Sequence, residues 1–183
     1  MSEQGQEMTS GNNNTSNEKE LEAAVNSLPL TSEVDMRIAR DGQWYHDGGL
    51  ISRMPLVRLF STVLQRDPNG VFWLVTPVEK AIITVEDAPF VIVEMKDEGQ
   101  GKDQRISFRN NVDTWIDLDG EHPIRIEYKH ENGDPSPYVL IREGLEGRLL
   151  RSVYYQLIDL AVEQNNQIGV WSKGTFHVLG SLE

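Results

Sequence analysis

One five-residue phrase occurs twice in this chain, each time between an extended run and an amphipathic one. Gly49-Leu50-Ile51-Ser52-Arg53 and Gly144-Leu145-Glu146-Gly147-Arg148 share the form Gly-Leu-x-x-Arg, and an apolar residue, Met54 or Leu149, follows each. Short extended segments precede the two copies at 43–46 and 137–142. Apolar, aromatic-bearing runs ending near Trp73 and Trp171 close the two stretches. Strand, elbow, helix and strand repeated in this order predict two related halves. A seam between such halves is a common place for a ligand cleft.

Composition narrows what the halves can do. At 183 residues, with 38% apolar content and four tryptophans, the chain can pack a core in one ordinary domain or two small ones. It has no cysteine. That excludes a disulfide framework, a thiolate zinc site, an iron–sulfur cluster and cysteine nucleophiles, and it suits a reducing cytoplasm. The net charge is −12, and the first thirty residues, with five Glu and one Lys, leave about −8 for the remainder. An acidic globule repels phosphate backbones, so neither a nucleic-acid polymer nor an anionic membrane is an expected partner. A small anion held by a local arginine cluster stays compatible with that charge. No run approaches the roughly 20 apolar residues of a membrane helix. The N-terminus also lacks the basic-then-apolar order of a signal peptide, so a cytoplasmic protein is expected.

Residues 1–17 are almost wholly polar and are expected to form a disordered tail. Asn17 with Glu20 resembles a capping box, and Leu21, Ala24, Val25 and Leu28 fall at helical spacing before Pro29. This predicts a first helix over 18–28. The N-terminal half is placed at 18–85, and a β-rich C-terminal half with one long helix at 86–183. Pro55 suits the first turn of a helix whose apolar face is Leu56, Leu59, Phe60, Val63 and Leu64. Asp67-Pro68-Asn69-Gly70 then turns the chain into a buried strand at 71–75. The runs 81–85, 90–94, 106–109, 115–118 and 124–128 read as further strands, with a hairpin tip at 97–103 and a loop at 130–137. Leu149, Val153, Tyr154, Leu157, Ile158 and Ala161 make a helical stripe, and 168–171 with 175–179 a terminal hairpin.

No reaction signature accompanies this layout. There is no Gly-x-x-x-x-Gly-Lys phosphate loop and no Gly-x-Ser-x-Gly elbow. Gly99-Gln100-Gly101 lacks the helix that follows it in a dinucleotide site. Asp117-Leu118-Asp119-Gly120 resembles a calcium loop, but Trp115 and Ile126 occupy its first and last ligand positions. His46, His122, His130 and His177 are isolated, and no metal or cofactor is expected. Glu79 beside Lys80, and Glu86-Asp87, are acids flanked by apolar strand sequence. They read either as ligand contacts or a general base, or as an ion pair and an ordinary turn. Arg53 and Arg148 stand at or before helix starts, where the helix dipole does not favour a cation. Each is there either for a bidentate contact with a carboxylate or phosphate, or to brace its elbow. Trp44, Tyr45, Trp73, Trp115, Tyr138 and Trp171 are core aromatics or stacking surfaces for a flat ligand. Trp44 and His46 share one face of a strand by the period of two.

The strings Asp41-Gly42-Gln43-Trp44, Trp73-Leu74-Val75-Thr76-Pro77-Val78-Glu79-Lys80, Val85-Glu86-Asp87-Ala88-Pro89-Phe90 and Gly169-Val170-Trp171-Ser172 resemble those of a bacterial family known as domain of unknown function 1285. The similarity spans about residues 30–181. The resemblance implies a duplicated core whose C-terminal half is similar to pleckstrin-homology-like folds. It also implies a ligand site between the halves for a nucleotide-like molecule in signal transduction, and it implies no catalytic residues.

The expected fold is thus α+β, two related halves each placing a helix against a curved antiparallel sheet. The expected function is a cytoplasmic ligand-binding or sensor module with an anionic, nucleotide-like ligand at the seam. Trp44, His46, Arg53, Glu79, Lys80, Arg148 and Trp171 are the candidate contacts. A protein-interaction module without a small ligand is the alternative. An enzyme using Glu79, Glu86 or Asp87 with His46 is a third reading.

Overall fold

Half of the described residues lie in strands and only 14% in helix, so the molecule is mostly β and the expected α+β class is overturned. The computed structural model describes residues 34–128 and 133–182. The predicted tail at 1–17 and helix at 18–28 lie outside these residues, as does His130.

Neither half is a helix laid on a sheet. In the first, β1 (Met36–Ile38), β2 (Trp44–His46) and β3 (Gly49–Leu50) precede α1 (Met54–Thr62), and β4 (Leu64–Arg66), β5 (Phe72–Val75) and β6 (Lys80–Val85) follow it. They form one six-stranded sheet in the order β3-β2-β1-β6-β5-β4. Its centre is a parallel pair, with Arg37 of β1 opposite Thr84 of β6. The second sheet contains β7 (Phe90–Glu98), β8 (Arg105–Asn110), β9 (Trp115–Asp117), β10 (Ile124–Tyr128), β11 (Pro135–Arg142) and β12 (Leu145–Leu149). Its order is β10-β11-β12-β7-β8-β9, again with one parallel pair, in which Arg148 of β12 lies opposite Val91 of β7. α2 (Arg151–Asp159) then leads to a three-stranded sheet of β13 (Val162–Gln164), β14 (Gln167–Ser172) and β15 (Thr175–Ser181). Of the pleckstrin-homology-like expectation only the curl of the sheets remains, a half-barrel being consistent with such a fold.

The repeated phrase accounts for the misreading. Both copies enter the return strand of a hairpin, β3 or β12, and the helix after each is only nine residues long. Helices this short do not hold themselves together in water, so both depend on packing. In α1 the inward face is Val57 and Ser61, one turn apart, while Leu59 of the expected apolar face is 60% exposed. Ser61 is tolerated inside because its hydroxyl donates to the Arg58 carbonyl at 2.7 Å. Leu64, expected in the helix, is instead buried in β4. In α2 Val153, Tyr154 and Leu157 are buried, but Leu149 already belongs to β12. Part of the predicted loop at 130–137 is strand, since β11 begins at Pro135.

One apolar core runs through both halves. Ile38, Trp44 and Leu64 belong to the same cluster as Ile92, Phe108 and Leu157. Each such side chain contributes about 2 kcal/mol on burial. Among the described residues, no helix is long and apolar enough to cross a membrane.

Candidate functional site

The predicted contacts do not converge on one place. Trp44 is 1% exposed and stacks on Phe60 in the core at 6.0 Å, and its Nε1 has no acceptor among the described residues. His46, two residues along the strand, is exposed and lies 3.7 Å from Asp47. Arg53 is the exposed N-cap of α1 and makes no side-chain capping bond. Glu79 lies in the β5–β6 turn, where Thr76 N–H donates to the Glu79 carbonyl at 2.9 Å, and Lys80 opens β6. The Lys80 ammonium lies 5.0 Å from the centre of the Trp73 ring. Trp171 packs against Phe176 at 5.4 Å, with the Lys102 ammonium 5.2 Å from its ring. Arg148 does cross between the halves.

The seam is built by the segment joining β6 to β7. Glu86 accepts from Arg40 N–H at 3.0 Å and pairs with Arg37, both in the first half. The Arg40 N–H, then the Arg37 guanidinium, hold its carboxyl below the usual range. Asp87 turns the other way. It accepts from the Tyr138 hydroxyl at 2.7 Å and lies 2.9 Å from Arg148 Nε. The Arg148 N–H is not aimed at that oxygen, so the contact is ionic and not a formed hydrogen bond. Arg148 Nη2 donates back to the Arg40 carbonyl at 2.9 Å. Burial first, and then the bond to Asp87, push the Tyr138 hydroxyl up to about 12. Two consecutive carboxylates therefore anchor the joint to opposite sheets. That is more than an ordinary turn, and it occupies both acids in bracing.

Beside this joint is a cavity of about 140 Å³ lined from both halves: Arg66 and Phe72 on one side, Arg125, Tyr138 and Glu146 on the other, and Asp87 between. Arg125 forks onto Glu146 at 2.6 and 2.7 Å and also donates to Glu127, a third carboxylate of the lining, at 3.2 Å. Arg66 behaves differently. Its guanidinium lies 5.3 Å from the Phe72 ring, and no carboxylate among the described residues pairs with it. The adjacent Asp67 is committed elsewhere, accepting from Asn69 and Val71 N–H at 2.9 Å and from Trp73 Nε1 at 3.1 Å. The second copy of the repeated phrase makes room for Arg66. Gly144 has φ +68°, and a Cβ there would stand 3.4 Å from Arg66 Cβ. Sequence reasoning missed Arg66 and Arg125, because no spacing relates them. The only signals were that repeated glycine and the aromatic Tyr138.

A larger cavity of about 610 Å³ lies on the outer face of the second sheet and shares no lining residue with the first. In its floor, Asp117 accepts from Arg105 Nε at 3.0 Å and from the Ser107 hydroxyl at 2.7 Å. Lys173 bridges Asp117 and Asp119 at 3.3 and 3.1 Å. Burial opposes a charge on Asp119. Bonds from His122, Lys173 and the backbone N–H groups of His122 and Glu121 outweigh it and hold the carboxyl at about 2. An unfolded aspartate titrates near 4, so this stabilisation is complete above about pH 4 and is lost as the pH falls towards 2. Asp119→Asn is expected to flatten the pH dependence of the melting temperature across that window. A mutant curve that stays parallel to the wild-type one removes Asp119 as the source.

The joint at 86–89 also divides the family matches. The model described as domain of unknown function (DUF1285), N-terminal domain, matches residues 28–88. The model described as protein of unknown function (DUF1285), C-terminal domain, matches residues 89–179. The chain belongs to the DUF1285 family. The crystal structure of a DUF1285 protein from Silicibacter pomeroyi DSS-3 is 42% identical and superposes with a TM-score of 0.79, covering 85% of this chain and 84% of that one. A DUF1285 protein from Shewanella baltica OS155 is 25% identical with a TM-score of 0.55, covering 69% of this chain and 91% of its own. A search of the curated proteins finds no match. Membership of DUF1285 assigns this chain no activity.

Proposed function

We propose that this DUF1285 protein is a cytoplasmic ligand-binding module that takes a small anion at the seam. The observation that carries the reading is Arg66, a guanidinium lining an interfacial cavity without a carboxylate partner among the described residues. Arg125 and the Tyr138 hydroxyl line the same space. At about 140 Å³ the cavity accommodates a phosphate or carboxylate group, whereas whole drug-sized ligands occupy about 300 Å³ or more. A nucleotide-like ligand would therefore enter by its phosphate and leave its base outside. An anion held by Arg66 would lie against the second-half lining of the cavity and so touch both halves, and occupancy stiffens their joint. That coupling is what a sensor in signal transduction requires.

The test is calorimetric titration with inorganic phosphate, a nucleoside monophosphate and a small carboxylate. Saturable binding weakened at least tenfold in Arg66→Ala is expected, since a charge-assisted hydrogen bond is worth about 1.5–3 kcal/mol. Binding indifferent to Arg66→Ala, or none at millimolar concentration, overturns the reading. The second reading, a protein-interaction module, is favoured by the outward apolar side chains Tyr155, Ile158 and Val162 on and after α2.

A further inference from the structure

Lys96, Arg105 and Lys173 line the 610 Å³ groove together with four carboxylates. Trp115 stands on the edge strand β9 with 38% of its surface exposed. The Lys96 ammonium lies 4.4 Å from the centre of its ring. A tryptophan face is the best aromatic seat for a cation because of its negative quadrupole. Here one ammonium already occupies that seat, and it comes from the chain itself. Lys96 has no ion pair with a carboxylate among the described residues, so the ring is its partner.

The groove's carboxylates divide into two sets. Asp117 and Asp119 are saturated by Arg105, Lys173, Ser107 and His122. Glu98 and Glu121 line the same groove, and neither side chain makes a hydrogen bond or ion pair with a described residue. An aromatic seat for an ammonium thus shares a groove of ligand size with two carboxylates outside any ion pair, Glu121 and, facing Arg105 at longer range, Glu98. A chain of net charge −12 draws cations towards its surface.

We propose that this groove binds a linear polyamine. One of its ammonium groups takes the Trp115 face in place of Lys96, and others meet Glu98 and Glu121. The methylene spacers lie along the sheet surface between these points. This site is independent of the seam reading, and Arg66→Ala is expected to leave it intact.

The experiment is calorimetric titration of the full chain with spermidine at physiological salt. One saturable site is expected, weakened about tenfold or more in Trp115→Ala. Lys96→Met is expected to tighten binding several-fold by vacating the ring. Glu121→Gln is expected to weaken it, while Glu163→Gln, the same charge change on exposed β13, is not. Absence of saturable binding overturns the proposal. So does a folded Trp115→Ala that binds like the wild type. Equal losses in Glu121→Gln and Glu163→Gln would mean diffuse attraction to an acidic surface and would also overturn it. Should Trp115→Ala fail to fold, the two glutamate variants still decide, since both sit on exposed positions.

Discussion

Arg148→Ala is expected to cost about 3 kcal/mol, because it leaves Asp87 as an uncompensated and largely buried charge. The Asp87 side chain is only 11% exposed and that of Arg148 23%, so water replaces little of the lost partner. For a chain of this size the loss corresponds to a fall in melting temperature of roughly 10 °C. Arg148→Lys is expected to recover only part of it. A point-charge ammonium can face Asp87 or the Arg40 carbonyl, whereas the guanidinium serves both at once. Asp87→Asn in the Arg148→Ala background removes the orphaned charge and should restore part of the loss. Strong non-additivity in that double-mutant cycle identifies the pair as the brace. A single mutant within about 0.5 kcal/mol of the wild type would show that solvent already screens Asp87, and would sink this account.

The same arginine shows how far the sequence could be read. Its position in a repeated phrase singled it out, and bracing of the elbow was one of its two readings. What it braces was invisible, because Asp87 and Arg40 come to it only through the parallel pairing of β12 with β7 and the contact between sheets. Strands were legible where β-branched runs met turn residues, as at Lys80–Val85, Phe90–Glu98 and Thr175–Ser181. The short strands β3, β4 and β13 were not, since two or three residues carry no period. The helical stripes misled for a related reason. Leu56, Leu59 and Phe60 fit helical spacing, yet the chain leaves the helix at Val63 and buries Leu64 in a strand. Spacing records which residues are apolar and cannot say where a helix stops without a cap, and no glycine or proline stands there. Trp44 was weighed as a stacking surface and is core, because a strand face shared with His46 does not reveal which end of it is covered.

Gly169→Ala is expected to destabilise the C-terminal hairpin by about 3 kcal/mol or more, as an overpacked position that cannot relax. In a strand, alanine would ordinarily be favoured over glycine by about 0.5–1 kcal/mol, so the sign depends on what the added methyl meets. At this position it would overlap the carbonyl oxygen of His177 on β15 and approach the Phe176 ring to 2.7 Å. The ring is held against Trp171, and a ladder carbonyl cannot turn aside without breaking its strand pairing. β14 already departs from regular register between Ile168 and Gly169, so the close approach belongs to how the two strands meet. Separating them would expose Val170 and Leu179, both in the common core. Hydrogen exchange should therefore show protection lost over Gln167–Ser172 and Thr175–Ser181, with much smaller changes in the first sheet. A Gly169→Ala protein that melts with the wild type would mean the hairpin can open at this point without penalty.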